Sequence, residues 1–220
     1  MISLEDRLTA LTDEMKEIIE ASDGVKALET EEFGWENYRY ESPKFRLAHI
    51  ERYYVDGLVV AHVVVMPVQS CGAPIFGFDV VGSAKTGKIT GAFVDWSPIM
   101  WEGKWHNTEW NNDRKLPVWA ECFSNQFVAI RPDEEETDKL FEFAIDTFME
   151  YMMMLQECFI DTSGQFSGRF AKGAQEVIKI AQNKYCTHQA SNPRTRAALN
   201  KKIGKERAEY FMTEILFPKI

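Results

Sequence analysis

The sequence lacks the features that mark membrane-spanning, disulfide-stapled and zinc-binding proteins. Its longest apolar runs, such as residues 57–67, are too short or too broken to cross a bilayer. The N-terminal stretch is acidic and has no basic segment followed by an apolar run, which predicts a cytoplasmic protein without a membrane association. The cysteines stand singly without metal-ligand spacing, so we expect reduced thiols and no metal site. They are Cys71, Cys122, Cys158 and Cys186.

Basic residues are also scarce, since 25 Lys and Arg face 34 Asp and Glu and give a net charge of −9. This balance argues against a general nucleic-acid binder. An apolar content of 45% over 220 residues is ordinary for a soluble globular protein, and we expect one domain over residues 1–220. Residues 169–207 depart from the rest, with ten Lys or Arg against two Glu. That segment is either a solvated helical face or a surface that binds something anionic.

Hydrophobic periodicity divides the chain into an opening helix, a run of strands and a helical C-terminal part. Apolar residues recur at helical spacing over residues 4–22, and again in three segments after residue 133. Between them lie short strand patterns, two of which are joined by Asp-Gly at 56–57 and two by Lys-Thr-Gly-Lys at 85–88. Tight turns of this kind join antiparallel strands. We therefore predict a three-layer α/β/α sandwich with a central antiparallel sheet flanked by helices.

Four ionisable residues interrupt strands that are otherwise apolar. His62 lies in the middle of "GLVVAHVVVMP" and Asp79 in "IFGFDVV", while His49 and Glu51 share one face of the preceding strand by period two. A buried acid and a buried imidazole are each costly alone, and we expect His62 and Asp79 to stabilise each other as a pair. The alternatives are a core histidine bonded to a backbone carbonyl and a structural salt-bridge network. A hydrolase using His62 and Asp79 would need a nucleophile, and no nucleophile elbow is present.

An ordered set of motifs carries a resemblance to a known family. The motifs are "YESPKFRLAHIE", "AHVVVMP", "PIFGFDVV", "FVDWSP", "RKLPVWAECFS", "FVAIRP", "RTRAAL" and "AEYFMTEILF", and they cover most of residues 38–217. In this order they resemble the ferredoxin-dependent bilin reductases. The resemblance implies an α/β/α sandwich with no bound metal or organic cofactor, which takes electrons from a reduced [2Fe–2S] ferredoxin. It further implies a monomer that binds biliverdin IXα between the sheet and the C-terminal helices.

The resemblance also implies a reaction and a set of site residues. Biliverdin IXα would be reduced to a phycobilin, with phycocyanobilin as the expected product of a four-electron radical mechanism, and a bilin-accepting apoprotein or lyase is a possible further partner. The catalytic residues carried over by position are Asp79, His62, Glu51 and His49, with Glu51 serving the vinyl group of the D ring. The substrate-binding residues carried over are Arg114, Arg194, Thr195, Asn192, Trp119 and Ser97.

One position departs from the family pattern. Close relatives carry an aspartate just before the stretch that reads "RTR" here, whereas this chain has Asn192 and Pro193. Neither side chain can donate a carboxyl proton. The product therefore remains open between phycocyanobilin, phycoerythrobilin and dihydrobiliverdin, and a bilin carrier without turnover is a further alternative.

Overall fold

The structure is a computed structural model that describes residues 2–100, 110, 121–157 and 169–220. Helix α1 spans Leu4–Glu20 and precedes strands β1 (Lys26–Ala27), β2 (Glu36–Glu41), β3 (Phe45–Val55), β4 (Leu58–Pro67), β5 (Ile75–Ser83), β6 (Ile89–Ser97) and β7 (Val128–Ile130). Helices α2 (Glu134–Glu157), α3 (Arg169–Ala190), α4 (Pro193–Ile203) and α5 (Lys205–Tyr210) follow, and α5 continues into a π-helical segment, Phe211–Leu216. The predicted opening helix and each predicted strand are present.

The strands form one antiparallel meander in chain order, β1 to β7. Strands β3 and β4 are joined by the two-residue turn Asp56-Gly57, in which both residues have positive φ, at 55° and 79°. This backbone matches a type I′ hairpin turn, and its twist matches that of the flanking strands. The turn fixes the register of β3 on β4, and the register decides which side chains share a face.

Helices cover both faces of the sheet, as predicted for a three-layer sandwich. On one face, α1 and α2 bury apolar residues such as Leu8, Met15 and Phe148 against the side chains of Val63 and Phe76. On the other face, α3, α4, α5 and the π-helical segment pack over β3 and β4 through a second apolar cluster. That cluster leaves the middle of the sheet uncovered, and a cavity lies there.

The C-terminal helices are shorter and more broken than their periodicity suggested. The last apolar segment is divided at Gly204, whose φ of 81° no helical residue adopts. Asn192 caps α4 by accepting a hydrogen bond from the backbone N–H of Arg194, and Pro193 occupies the first helical position. Within the described ranges, no helix is long and apolar enough to cross a membrane. Cys71 and Cys186 are buried, and Cys122 is half-buried.

Candidate active site

Three of the predicted catalytic residues lie side by side in one row across the sheet. The register pairs Glu51 on β3 with His62 on β4, and His62 with Asp79 on β5. Residues directly opposite in adjacent strands point to the same face, so the three side chains project together toward the C-terminal helices. The hairpin turn at 56–57 therefore aligns an acid, an imidazole and a second acid that are distant in the sequence.

A second row runs parallel to the first, two residues along each strand. It joins His49 on β3, Val64 on β4, Gly77 on β5 and Asp95 on β6. Because the spacing along each strand is two residues, this row faces the same way as the first. Ionisable side chains thus occur in both rows on one face.

This face forms the floor of a cavity of about 400 Å³. The volume falls within the roughly 300–1,000 Å³ that small-molecule sites occupy. The roof is made by α3, α4 and the C-terminal segment, and much of the wall is aromatic or aliphatic, which suits a flat apolar ligand. Residues in the lining include Glu51, Tyr53, His62, Asp79, Phe93, Asp95, Phe123, Phe127, Arg131, Tyr185, Gln189, Asn192, Arg194, Thr195, Leu199 and Phe217.

Burial shifts the pKa of each acid in the first row upward, toward the neutral form. The pKa of Asp79 rises from 3.8 to about 7, because the low-polarity surroundings penalise the carboxylate. The pKa of Glu51 rises to about 8 through burial and then through the nearby charge of Asp79. The indole N–H of Trp35 lies near Glu51 and partly opposes this rise in pKa.

The two histidines are neutral for the same reason. Burial lowers the pKa of His62 to about 4, and burial together with the charges of His62 and Arg39 lowers the pKa of His49 well below 6.5. The structure does not show the expected stabilising pair of His62 and Asp79, because burial shifts the pKa of each group toward its neutral form. Among the described residues no hydrogen bond or ion pair joins them, and Nε2 of His62 and Oδ1 of Asp79 have no partner.

His62 consequently differs from a packed core histidine. No backbone carbonyl in the described part of the chain accepts a hydrogen bond from its Nε2, and its accessible surface faces the cavity. The ring of Phe217 contacts it edge-on, with 6.0 Å between centroids. An unpartnered nitrogen on an imidazole that lines a cavity can pair with a bound molecule.

His49 lies deeper than the first row and outside the cavity lining. It is fully buried, and its Nε2 lies 3.0 Å from Oδ1 of Asn37 on β2. The edge of the Phe211 ring faces it, and Nδ1 has no partner in the described residues. If His49 acts in the site, it acts through a neighbour and not by direct contact with a ligand.

The predicted substrate-binding residues divide into three groups. Asn192, Arg194 and Thr195 line the cavity at the start of α4, where Asn192 also serves as the helix cap. Ser97 is buried outside the cavity lining and donates a hydrogen bond to Asp95 at 2.6 Å. The structure thus places Ser97 behind an acid and not against a ligand. Arg114 and Trp119 lie outside the described residues.

The sequence analysis missed several cavity residues, among them Asp95 and Tyr185. Asp95 interrupts an apolar strand in the way Asp79 does, so the same pattern in "FVDWSP" could have identified it. Tyr185 lies on α3, where nothing in the local pattern indicated a site. Its hydroxyl stands over Gly77, and a Cβ added at Gly77 would lie 3.5 Å from that oxygen.

The described residues contain no group of three or more His, Cys, Asp or Glu that could hold a metal ion. The carboxyls and imidazoles of the site can transfer protons: a carboxylic acid can donate a proton, and a neutral imidazole can accept or relay one. Such groups on the floor of an apolar cavity are typical of an enzyme that protonates a bound organic molecule.

Comparison with known proteins gives consistent results. A family profile described as "Ferredoxin-dependent bilin reductase" matches residues 4–218. The phycocyanobilin:ferredoxin oxidoreductase of Trichodesmium erythraeum (strain IMS101) is 31% identical over 203 residues, or 86% of this chain and 78% of that protein. The enzyme of the same name from Synechococcus elongatus (strain ATCC 33912 / PCC 7942 / FACHB-805) is 30% identical over 205 residues, again 86% of this chain and 78% of that protein.

Two solved structures share the fold. The structure of PcyX superposes with a TM-score of 0.66 and 24% identity, covering 97% of this chain and 99% of that one. Phytochromobilin synthase from tomato, solved in complex with biliverdin, superposes with a TM-score of 0.73 and 15% identity, covering 95% and 82%. At these sequence identities the two structures support the fold of this chain and nothing further.

Proposed function

Because this chain belongs to the ferredoxin-dependent bilin reductase family of oxidoreductases, we propose that it reduces biliverdin IXα to phycocyanobilin with electrons from reduced ferredoxin. Membership confirms the resemblance seen in the sequence motifs. The substrate, product and mechanism are the proposal. The observation that carries it is the row of Glu51, His62 and Asp79 on the floor of the cavity.

The chemistry requires proton donors inside the site. A ferredoxin delivers one electron at a time, and each electron added to a bilin creates a radical anion unless a proton follows. A proton donor works best when its pKa lies near the working pH, since it is then largely protonated and still acidic enough to release its proton. A pKa of about 7 for Asp79 meets this condition, so we assign it as the main donor.

His62 and Glu51 have complementary roles. The neutral imidazole of His62, beside Asp79 in the row, can bridge to the lactam oxygens of the bilin and relay protons between them and the carboxyl. Glu51 lies on the opposite side of His62 from Asp79, and its carboxyl is protonated at neutral pH. We assign Glu51 to the vinyl group of the D ring, which makes phycocyanobilin the expected product.

Charges at the edge of the cavity suit the rest of the substrate. Arg131 and Arg194 line the cavity from β7's end and from α4, and both are largely exposed at its edge. Guanidinium groups bind carboxylates strongly, so these residues are candidates for the two propionates of biliverdin. The exposed Lys201, Lys202 and Lys205 continue this basic surface along α4 and α5. They would attract an acidic ferredoxin to an otherwise acidic enzyme.

The test is anaerobic incubation of the protein and biliverdin with a ferredoxin-reducing system, followed by absorbance and by chromatography against authentic phycobilins. We expect biliverdin absorption to be replaced by that of a reduced bilin that elutes with phycocyanobilin. A spectrum that shifts on binding without any reduction would identify a carrier and overturn the proposal. Elution with phycoerythrobilin or dihydrobiliverdin would retain the reductase and overturn the product assignment.

Asp79→Asn tests the assigned donor in the same assay. The variant should bind biliverdin with unchanged affinity and then stall, with a bilin radical detectable by electron paramagnetic resonance. Asp146→Asn is the matched control, because Asp146 is exposed on α2 on the other face of the sheet. Wild-type turnover by Asp79→Asn would remove Asp79 from the mechanism.

A further inference from the structure

Asp95 is a buried acid on the cavity floor to which the proposed mechanism gives no role. It lies on β6 opposite Gly77, and its neighbour two residues earlier, Phe93, lies opposite Asp79. Asp95 is therefore the diagonal neighbour of Asp79, with Cα atoms about 7–8 Å apart by sheet geometry. Glu51 lies two strands away on the other side of Asp79, about 10 Å from it by strand spacing. Asp79 thus has an acid on either side.

The carboxyl of Asp95 is held in one position. Ser97 Oγ donates to Oδ2 at 2.6 Å, and the backbone N–H of Ser124 donates to the same oxygen at 3.1 Å. Ser124 Oγ donates to Oδ1 at 2.5 Å. The side chain is only 1% exposed, yet it contributes to the cavity lining. A carboxyl that is screened from bulk water but reaches a ligand cavity can exchange a proton with a ligand more readily than with solvent.

These hydrogen bonds are also compatible with a purely structural role. They connect β6 to the segment that carries Ser124, so Asp95 could serve only to anchor that segment. However, donors to both oxygens favour the carboxylate, and burial still raises the pKa of Asp95 to about 6. An anchor needs no contact with the cavity. The cavity contact, together with the neighbouring Tyr185 hydroxyl over Gly77, indicates more than an anchor.

A four-electron reduction consumes four protons, one for each electron. Asp79 and Glu51 supply one proton each before water reprotonates them, so further donors are needed. The start of α4 supplies no acid, since Asn192 lines the cavity there and is followed by Pro193. The described cavity lining holds three carboxyls, and Asp95 is the one without a role.

We propose that Asp95 is a third proton donor of the cavity and serves the second two-electron reduction in this chain. The inference rests on the proposed function. This reduction takes two electrons, one from each of two reduced ferredoxins, which are oxidised, and it takes two protons. Asp95 supplies one of these protons and Glu51, which serves the vinyl group, supplies the other. The O–H bond of Asp95 breaks as a C–H bond forms at the bilin carbon that carries the added electron. The electron pair of the O–H bond stays on the carboxylate, which regains its proton from water that enters when product leaves.

The experiment compares wild type with Asp95→Asn, Asp95→Glu and Ser124→Ala in anaerobic single-turnover reactions followed by chromatography. Asn keeps the size of the side chain and one acceptor oxygen, so we expect folding and biliverdin affinity to be retained. The first reduction should keep its rate, while the second should slow at least tenfold, so that a two-electron-reduced bilin accumulates. Asp95→Glu should restore part of the second rate, because it restores a donor.

Ser124→Ala separates proton donation from anchoring. A purely structural Asp95 would make Ser124→Ala and Asp95→Asn alike, with lower thermal stability, weaker biliverdin binding and no selective loss of the second reduction. That result would overturn the inference, and so would an unchanged product from Asp95→Asn. Wild-type protein that fails to reduce biliverdin at all would instead refute the proposed function, so the two failures are distinguishable.

The pH dependence gives an independent readout. The titratable groups around Asp95 are Asp79 on β5, Tyr185 on α3, and Cys122 on the segment that carries Ser124, while Arg131 lines the same cavity. In wild type the rate of the second reduction should fall as pH rises through the titration of Asp95. In Asp95→Asn the residual rate of the second reduction should no longer show this fall with pH. If Asp95 were only an anchor, the variant would keep the same pH dependence as wild type.

Discussion

Replacing Asp79 with Asn should make the substrate-free protein relatively more stable as pH rises. Burial raises the pKa of Asp79 from 3.8 to about 7. Between these values the unfolded chain has released the proton that the folded protein still holds. The folded state binds more protons there, so rising pH lowers the free energy of unfolding until pH passes the folded pKa. The Asn side chain has no proton to release and escapes this loss.

The magnitude follows from the two pKa values. At pH 5 the wild type has lost only part of the stabilisation, whereas at pH 8 it has lost nearly all of it. Linkage gives a difference of about 2–3 kcal/mol between the two conditions. The Asn variant also removes the charge that helps to raise the pKa of Glu51, which adds a smaller effect of the same sign. Water that enters the cavity makes these figures upper values.

The assay is urea unfolding of wild type and Asp79→Asn at pH 5 and pH 8 without substrate. The variant minus wild-type free energy of unfolding should be more positive at pH 8 by about 2 kcal/mol. Asp146→Asn, at the exposed position on α2, should show no such change between the two conditions. A variant effect that is equal at both pH values within the error of extrapolation would show that Asp79 is not a buried acid of raised pKa.

Three further predictions follow from the same geometry. Arg52→Met should lower the free energy of unfolding by about 2–4 kcal/mol in urea titrations, because buried Arg52 binds Thr12 and Asp13 of α1. The variant should not change the bilin products, since these contacts lie on the face of the sheet away from the cavity. A stability loss below about 1 kcal/mol would contradict the argument. Glu51→Gln should bind biliverdin normally yet lose vinyl reduction, as read by product chromatography, and an unchanged product mixture would count against its role. Gly77→Ala should fold normally, since the added Cβ lies 3.5 Å from the Tyr185 hydroxyl, an ordinary contact distance. The added methyl group fills part of the cavity floor, so it should weaken biliverdin binding roughly tenfold in absorbance titrations. Unaltered binding would indicate that the bilin does not approach this strand.

Several features were predictable because they depend on neighbours in the sequence. The β3–β4 hairpin follows from Asp56-Gly57 flanked by apolar alternation, since few other residue pairs adopt two successive positive φ values. The helix at Leu4–Glu20 follows from its spacing, although Ser3 sets its start. The family motifs added the catalytic roles expected of His62 and Asp79. Asp95 was within reach of the same reasoning, because it too interrupts an apolar strand.

Other features depended on contacts between distant parts of the chain. The sequence could not show that burial outweighs pairing for His62 and Asp79, because that balance depends on how completely the C-terminal helices cover the sheet. Nor could it show that Ser97 lies behind Asp95. The approach of Tyr185 to Gly77 likewise arises from the packing of α3 on β5.

The sequence by itself determined the strands, the turns that join them and the ionisable residues placed within them, because backbone preference and period-two alternation act over a few residues. The tertiary structure decided that Glu51, His62, Asp79 and Asp95 line one cavity, and that burial shifts the pKa of each toward its neutral form. The physical reason is that register and desolvation are properties of the assembled layers: a carboxyl takes its pKa from everything packed around it, most of which lies far away along the chain.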